Sequence, residues 1–161
     1  MSVTAEQYLH TSFEHDAEFV NGRIVERPAP YWEHSRMQGF LIVELRDARQ
    51  LGWRTMLELR VQTGPDRYRV PDVCIVTGGP DERGIMTRPP HLCVEILAPE
   101  DTAVELLAKV REYLKFGVEW VWVIDPVSLA GQVHSRSSAA NVEDRIFSTD
   151  RFSVDLSNVE Y

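Results

Sequence analysis

Arg69-Val-Pro-Asp-Val-Cys-Ile-Val76 and His91-Leu-Cys-Val-Glu-Ile-Leu97 are two short apolar runs, each holding a carboxylate among hydrophobic neighbours. Runs of this length, rich in Val, Ile and Leu and bounded by Gly and Pro, read as buried strands. A charge in such a run is costly unless it is paired, hydrogen-bonded or bound to a metal. Asp72 and Glu95 are therefore the residues the rest of the chain must explain. On adjacent strands they would make a hard-oxygen site suited to Mg²⁺ or Mn²⁺.

Strand geometry sharpens this expectation. Side chains alternate, so Asp72, Cys74 and Val76 share one face, as do Cys93, Glu95 and Leu97. If the strands are antiparallel neighbours with Asp72 opposite Glu95, Cys74 must stand directly across from Cys93. A slip of one residue would send one carboxylate to the other face. Both thiols are expected to be buried and reduced, because two cysteines make no disulfide framework.

Outward from this centre, Thr4-Ala-Glu-Gln7 matches a capping box that opens a short helix. Ala17 to Arg27 reads as a hairpin around Asn21-Gly22, the favoured two-residue type I′ turn. Met37, Leu41, Leu45 and Ala48 recur at helical spacing over about Trp32 to Gln50, and Gly52 ends that helix. Strands are predicted over Arg54 to Thr63 and Arg67 to Thr77, joined at Gly64-Pro-Asp66. Gly78 to Pro90, dense in Gly, Pro and charge, is expected to be a mobile loop.

After the His91 to Leu97 strand, Asp101 or Thr102 caps a helix with an apolar stripe from Ala103 to Leu114, closed by Gly117. Lys109 lies on this helix. Glu119-Trp-Val-Trp-Val-Ile-Asp125 is a buried strand stopped by Pro126. The tail reads as short edge strands over Leu129–Ser135, Arg145–Ser148 and Phe152–Leu156, with a polar loop at Ser137–Asn141. Three strands followed by a helical crossover to a fourth indicate a mixed α/β (α+β) sheet flanked by helices. With 161 residues, one domain spanning 1–161 is expected.

Composition limits the function classes. Apolar runs such as Val121 to Ile124 are too short to cross a bilayer, and no export signal is visible, so a cytoplasmic protein without membrane contact is expected. The formal charge is −8, which argues against strong, promiscuous nucleic-acid binding, since that mode usually needs a basic face. Of its 17 basic residues all but two are Arg, the side chain whose planar fork best matches phosphate. No Gly-rich phosphate loop, nucleophile elbow or zinc spacing is present.

Local explanations stand beside the metal-site reading. Pro71-Asp72 can be turn chemistry at a strand start, and Glu95 can belong to a buried ion pair. Lys109 has Glu105 four residues before it and Glu112 three after, enough for a surface salt bridge. Glu18 and His34 either reach the same pocket, as groups assisting the metal ligands, or are solvated.

Taken together, Pro71-Asp72, Glu95 and Lys109 resemble the PD-(D/E)XK nuclease superfamily, within it the branch of small bacterial putative restriction endonucleases of uncharacterised function. Glu18-Phe-Val-Asn-Gly-Arg-Ile-Val25, His34, Glu95-Ile-Leu-Ala-Pro99, Lys109-Val-Arg-Glu-Tyr113 and Gly117-Val118 carry the likeness, with Trp122-Val-Ile-Asp-Pro126 after them. The resemblance spans nearly the whole chain. It implies a restriction-endonuclease-like αβββαβ core and metal-dependent hydrolysis of phosphodiesters in DNA. Asp72, Glu95 and the Ile96 carbonyl would bind Mg²⁺, with Mn²⁺ as substitute, and Lys109 would act on the attacking water. The superfamily places its lysine two residues after the glutamate, where this chain has Leu97; the branch moves it to the next helix, hence Lys109. Ala98 stands where the branch more often has Ser. A homodimer is expected, because cutting both strands needs two sites. The alternatives are a nuclease-fold protein that binds or regulates without cleaving, and a hydrolase of another phosphoester.

Overall fold

The structure is a computed structural model that describes residues 2–160. Thr4 accepts from the Gln7 N–H and the Gln7 side chain accepts from the Thr4 N–H, closing the capping box of α1 (Ala5–Leu9). β1 (Ala17–Val20) and β2 (Arg23–Glu26) form the expected hairpin. Its turn residues Asn21 and Gly22 have φ of 51° and 80°, the left-handed pair a type I′ turn requires. α2 (Trp32–Glu44) tightens into a 3-10 helix over Leu45–Leu51 before Gly52. There Thr55 donates its hydroxyl to the Leu45 carbonyl at 2.8 Å.

The two long strands expected next each break in two. Glu58, at φ 48°, separates β3 (Arg54–Leu57) from β4 (Val61–Gly64). Val70-Pro71-Asp72 separates β5 (Arg67–Arg69) from β6 (Val73–Val76), where Pro71 has no N–H to give a ladder. The halves enter different sheets. β4 and β5 join the hairpin in a four-stranded sheet of order β2-β1-β5-β4. β3 and β6 join β7 (Leu92–Ile96), β8 (Trp120–Ile124), β9 (Gly131–Ser135) and β10 (Ala139–Val142) in a six-stranded sheet of order β10-β9-β8-β7-β6-β3. Asp72 thus lies where the chain passes from one sheet to the other.

β7 and β8 run parallel, connected by α3 (Ala103–Phe116), which Thr102 caps and Gly117 ends at φ 116°. With α2, β3, β6, β7, α3 and β8 in that order, the αβββαβ core is present. One face of the large sheet packs Val73, Ile75, Leu92, Val94 and Trp122 against Met37, Leu41 and Leu45. The other packs Cys74, Cys93, Val121 and Val123 against Val110 and Tyr113 of α3. This is the mixed α+β architecture that the sequence predicts.

Two loop expectations need correction. Residues 78–90 are pinned: Ile85 and Met86 are buried, the Met86 N–H donates to the Arg60 carbonyl at 2.9 Å and the Met86 carbonyl accepts from the Gln62 N–H at 2.8 Å. An apolar pair inside a polar loop supplies that anchor. Ser137–Asn141 is not wholly a loop, since β10 begins at Ala139 and pairs antiparallel with β9; an edge strand needs backbone pairing more than an apolar face. β11 (Ile146–Ser148) and β12 (Ser153–Asp155) form a separate hairpin. Among the described residues no helix is long and apolar enough to cross a membrane.

Candidate active site

β6 and β7 pair Val73 with Val94, Cys74 with Cys93 and Ile75 with Leu92. This is the register required by the alternation argument, and one further step along it sets Asp72 across from Glu95. Both are buried, at 2% and 6% exposure. They lie on the wall of a cavity of about 350 Å³ that Glu18, Arg27, His34, Ile96 and Lys109 also line.

Asp72 is held from three directions. Its Oδ1 meets the Arg27 guanidinium and His34 Nε2, the latter at 3.1 Å. Its Oδ2 accepts from the Ile96 N–H at 2.7 Å. Within a strand the N–H and C=O of one residue point the same way, so the Ile96 carbonyl shares the Asp72 side of β7. Glu95 accepts from the Tyr113 hydroxyl at 2.7 Å and meets Lys109 Nζ at 3.4 Å.

Lys109 also lies 3.2 Å from Glu18 Oε1, so its side chain runs inward rather than to a surface bridge. Its expected surface partners are otherwise engaged. Glu112 takes Arg69, Arg67 and Thr63, and Glu105 accepts from the Thr102 hydroxyl that caps the helix. Glu18 accepts from the Val70 N–H at 3.0 Å and from Arg69 at 2.9 Å. Arg69 therefore ties β1, β5 and α3 together behind the site.

These contacts divide the two carboxylates. Burial opposes ionisation of Asp72, but the His34 hydrogen bond and the Arg27 charge outweigh it and hold its carboxyl below the usual range. Burial pushes Glu95 up to about 7; Asp72 and Glu18 add to that, and Lys109 offsets only part. Burial alone would lower Lys109, yet Glu95 and Glu18 raise it above its ordinary value, so it stays a cation. Titratable pairs driven apart by their surroundings are a mark of functional sites.

The structure thus brings Asp72, Glu95, Lys109, Ile96, Glu18 and His34 to one cavity. Sequence reasoning missed Tyr113 and Arg27. Tyr113 lies four residues after Lys109, on the same helix face, a signal that could have found it. Arg27 lies 45 residues before its partner, and no local pattern links them. Elsewhere, His91, Glu119 and Asp150 cluster among the described residues. Nδ1 faces Glu119 at 3.3 Å and Nε2 faces Asp150 at 3.5 Å. His91 thus lies between Glu119, just before β8, and Asp150 of the last hairpin.

An αβββαβ core with carboxylates on adjacent strands and a lysine on the crossover helix defines the restriction-endonuclease-like class. The model of the Uma2 family, described as "Putative restriction endonuclease", matches residues 5–158, and this chain belongs to that family. It is similar to the crystal structure of "a putative nuclease belonging to DUF820" from Anabaena variabilis ATCC 29413, with a TM-score of 0.81 and 24% identity, over 93% of this chain and 90% of that one. At that identity the likeness concerns the fold. Among curated proteins nothing matches the chain.

Proposed function

We propose that this protein is a metal-dependent nuclease that hydrolyses phosphodiester bonds in DNA, with Asp72, Glu95 and the Ile96 carbonyl as ligands of Mg²⁺. The observation that carries the reading is the β6–β7 register, which sets two buried carboxylates level at one cavity with the Lys109 ammonium beside Glu95. The donor set fits the ion: two carboxylates and a carbonyl are hard oxygen ligands. Asp72 already gathers Arg27 and His34, so the site's demand for positive charge is visible in its own contacts. When bound, the metal would supply Lewis-acid polarisation of the phosphate and activation of water.

This chain's own residues do the rest. Lys109 stabilises charge developing on phosphorus and orients the water. Tyr113 fixes the Glu95 carboxylate, and His34 and Glu18 orient Asp72 and Lys109. A homodimer would bring two such sites to the two strands of a duplex. The test is cleavage of plasmid DNA in Mg²⁺, in Mn²⁺ and in a chelator, by wild type, Asp72→Asn and Glu95→Gln. Cleavage that needs metal and both carboxylates supports the reading; cleavage unchanged by the substitutions overturns it.

A further inference from the structure

We propose that Arg27 is a displaceable counter-ion of the metal site and that, once displaced, it binds the substrate phosphate. The inference rests on the metal-dependent reading above. Arg27 follows β2, and its guanidinium meets Asp72 Oδ1, the atom that a divalent cation would also need. A carboxylate oxygen facing a guanidinium is not free for an ion, and a divalent ion beside a guanidinium repels it strongly in a partly buried pocket. Metal and Arg27 therefore compete for Asp72.

His34 shares Asp72 Oδ1 at 3.1 Å; of the Lys and Arg side chains on the cavity wall among the described residues, Lys109 is the other, and it and Arg27 differ in how they are held. Lys109 has a second anchor in Glu18 at 3.2 Å, itself buried and fixed by Arg69 and the Val70 N–H. The second anchor of Arg27 is Glu58 at 3.8 Å, a side chain 46% exposed. Arg27 is thus the cation that yields. Its backbone stays fixed, because its N–H donates to the Asp16 carbonyl at 3.1 Å and Pro28 follows. Only the side chain moves, and the space open to it is the cavity it already lines.

That cavity is acidic, with Glu14, Asp16, Glu26, Glu58 and Asp101 around its wall besides the buried carboxylates. A phosphodiester entering it meets repulsion that the metal offsets only locally. A guanidinium released from Asp72 presents its planar fork to the phosphate oxygens. Metal loading and substrate binding are then coupled through one side chain: the ion frees the group that the phosphate uses.

The deciding experiment is calorimetric titration of Mn²⁺ into metal-free wild type, Arg27→Met, Arg27→Lys and Asp72→Asn, with His34 unchanged throughout. Arg27→Met is expected to bind Mn²⁺ about tenfold tighter than wild type or better, Arg27→Lys to lie between them, and Asp72→Asn to lose binding. A purely structural Arg27 would not tighten metal binding when removed. The phosphate half is read with dimethyl phosphate, through ³¹P relaxation by the bound Mn²⁺. Wild type and Arg27→Lys should hold it several-fold more tightly than Arg27→Met. If Arg27→Met does not fold without metal, Arg27→Gln carries the same comparison. Equal or weaker Mn²⁺ binding by the variant overturns the counter-ion role while leaving the metal site standing. Equal dimethyl phosphate binding overturns the phosphate role. No Mn²⁺ binding by any variant overturns this inference together with the reading it rests on.

Discussion

Cys74 and Cys93 face each other across the antiparallel ladder of β6 and β7, both free and both fully buried. The same register brings Asp72 level with Glu95, so the thiol pair and the acidic pair are successive steps on one face of the sheet. The thiols sit deeper, against α3, and the carboxylates at the open end.

The thiols should be unreactive in the native protein. Burial pushes the Cys74 thiol up to about 12 and Cys93 well above its ordinary value, and the thiolate is the reactive form. Titration with a thiol reagent at pH 8 should label neither cysteine, and both once the protein is denatured. Fast labelling of the folded protein would contradict the register.

Asp72→Asn and Glu95→Gln should differ in stability without metal. The sequence alone suggests that either change relieves like-charge repulsion. The structure pairs Asp72 with Arg27 and His34, so Asp72→Asn leaves a buried guanidinium short of its partner and should cost about 3 kcal/mol. Glu95→Gln removes a charge that burial disfavours and should be neutral or stabilising. Thermal melts in chelator check this, and equal losses in both variants would count against it.

In chelator, the contribution of Glu95 to stability should fall as pH rises from about 4.5 to about 7. The folded Glu95 carboxyl lies at about 7, against an ordinary 4.5, because of burial. A raised folded value means the folded state holds the proton more tightly. Its stabilisation is therefore complete below the unfolded value and lost as pH rises through the folded one, about 3 kcal/mol in all by linkage. His34, whose value Asp72 raises against the effect of burial, acts in the same direction. Melting temperature against pH, compared between wild type and Glu95→Gln, isolates this slope from His91 and His134, whose values burial lowers and which act the other way.

If Lys109 acts on charge in the transition state, as proposed, Lys109→Met should lower the turnover number by about 100-fold or more while Mn²⁺ still binds. Single-turnover cleavage and calorimetry separate the two. Loss of metal binding instead would make Lys109 a support of Glu95 alone.

Arg69→Ala should destabilise the protein by about 3 kcal/mol, since it removes the cation that Glu18 and Glu112 share and leaves Glu18 to Lys109 and the Val70 N–H, and Glu112 to Arg67 and Thr63. Urea denaturation measures this. Arg69→Ala combined with Glu112→Gln should recover part of the loss, because one fewer carboxylate is left short of positive charge.

Much of this molecule follows from local pattern. The Thr4 capping box, the Asn21-Gly22 turn, the Thr102 and Gly117 ends of α3 and the face shared by Asp72 and Cys74 each depend on a few consecutive residues. Steric and hydrogen-bonding rules act over that range, so the sequence by itself determined these elements, the αβββαβ order and the residues at the centre. Tertiary structure alone decided where the strands break. Arg54–Thr63 and Arg67–Thr77 read as continuous strands, yet each serves two sheets, because the edges they meet are built by residues far away in the chain. It also decided that Arg27 rests on Asp72, that Arg69 joins Glu18 to Glu112, and that Lys109 turns inward instead of bridging along its helix. Those choices balance buried charges against one another, and a charge finds its partner by proximity in space, which periodicity along the chain does not encode.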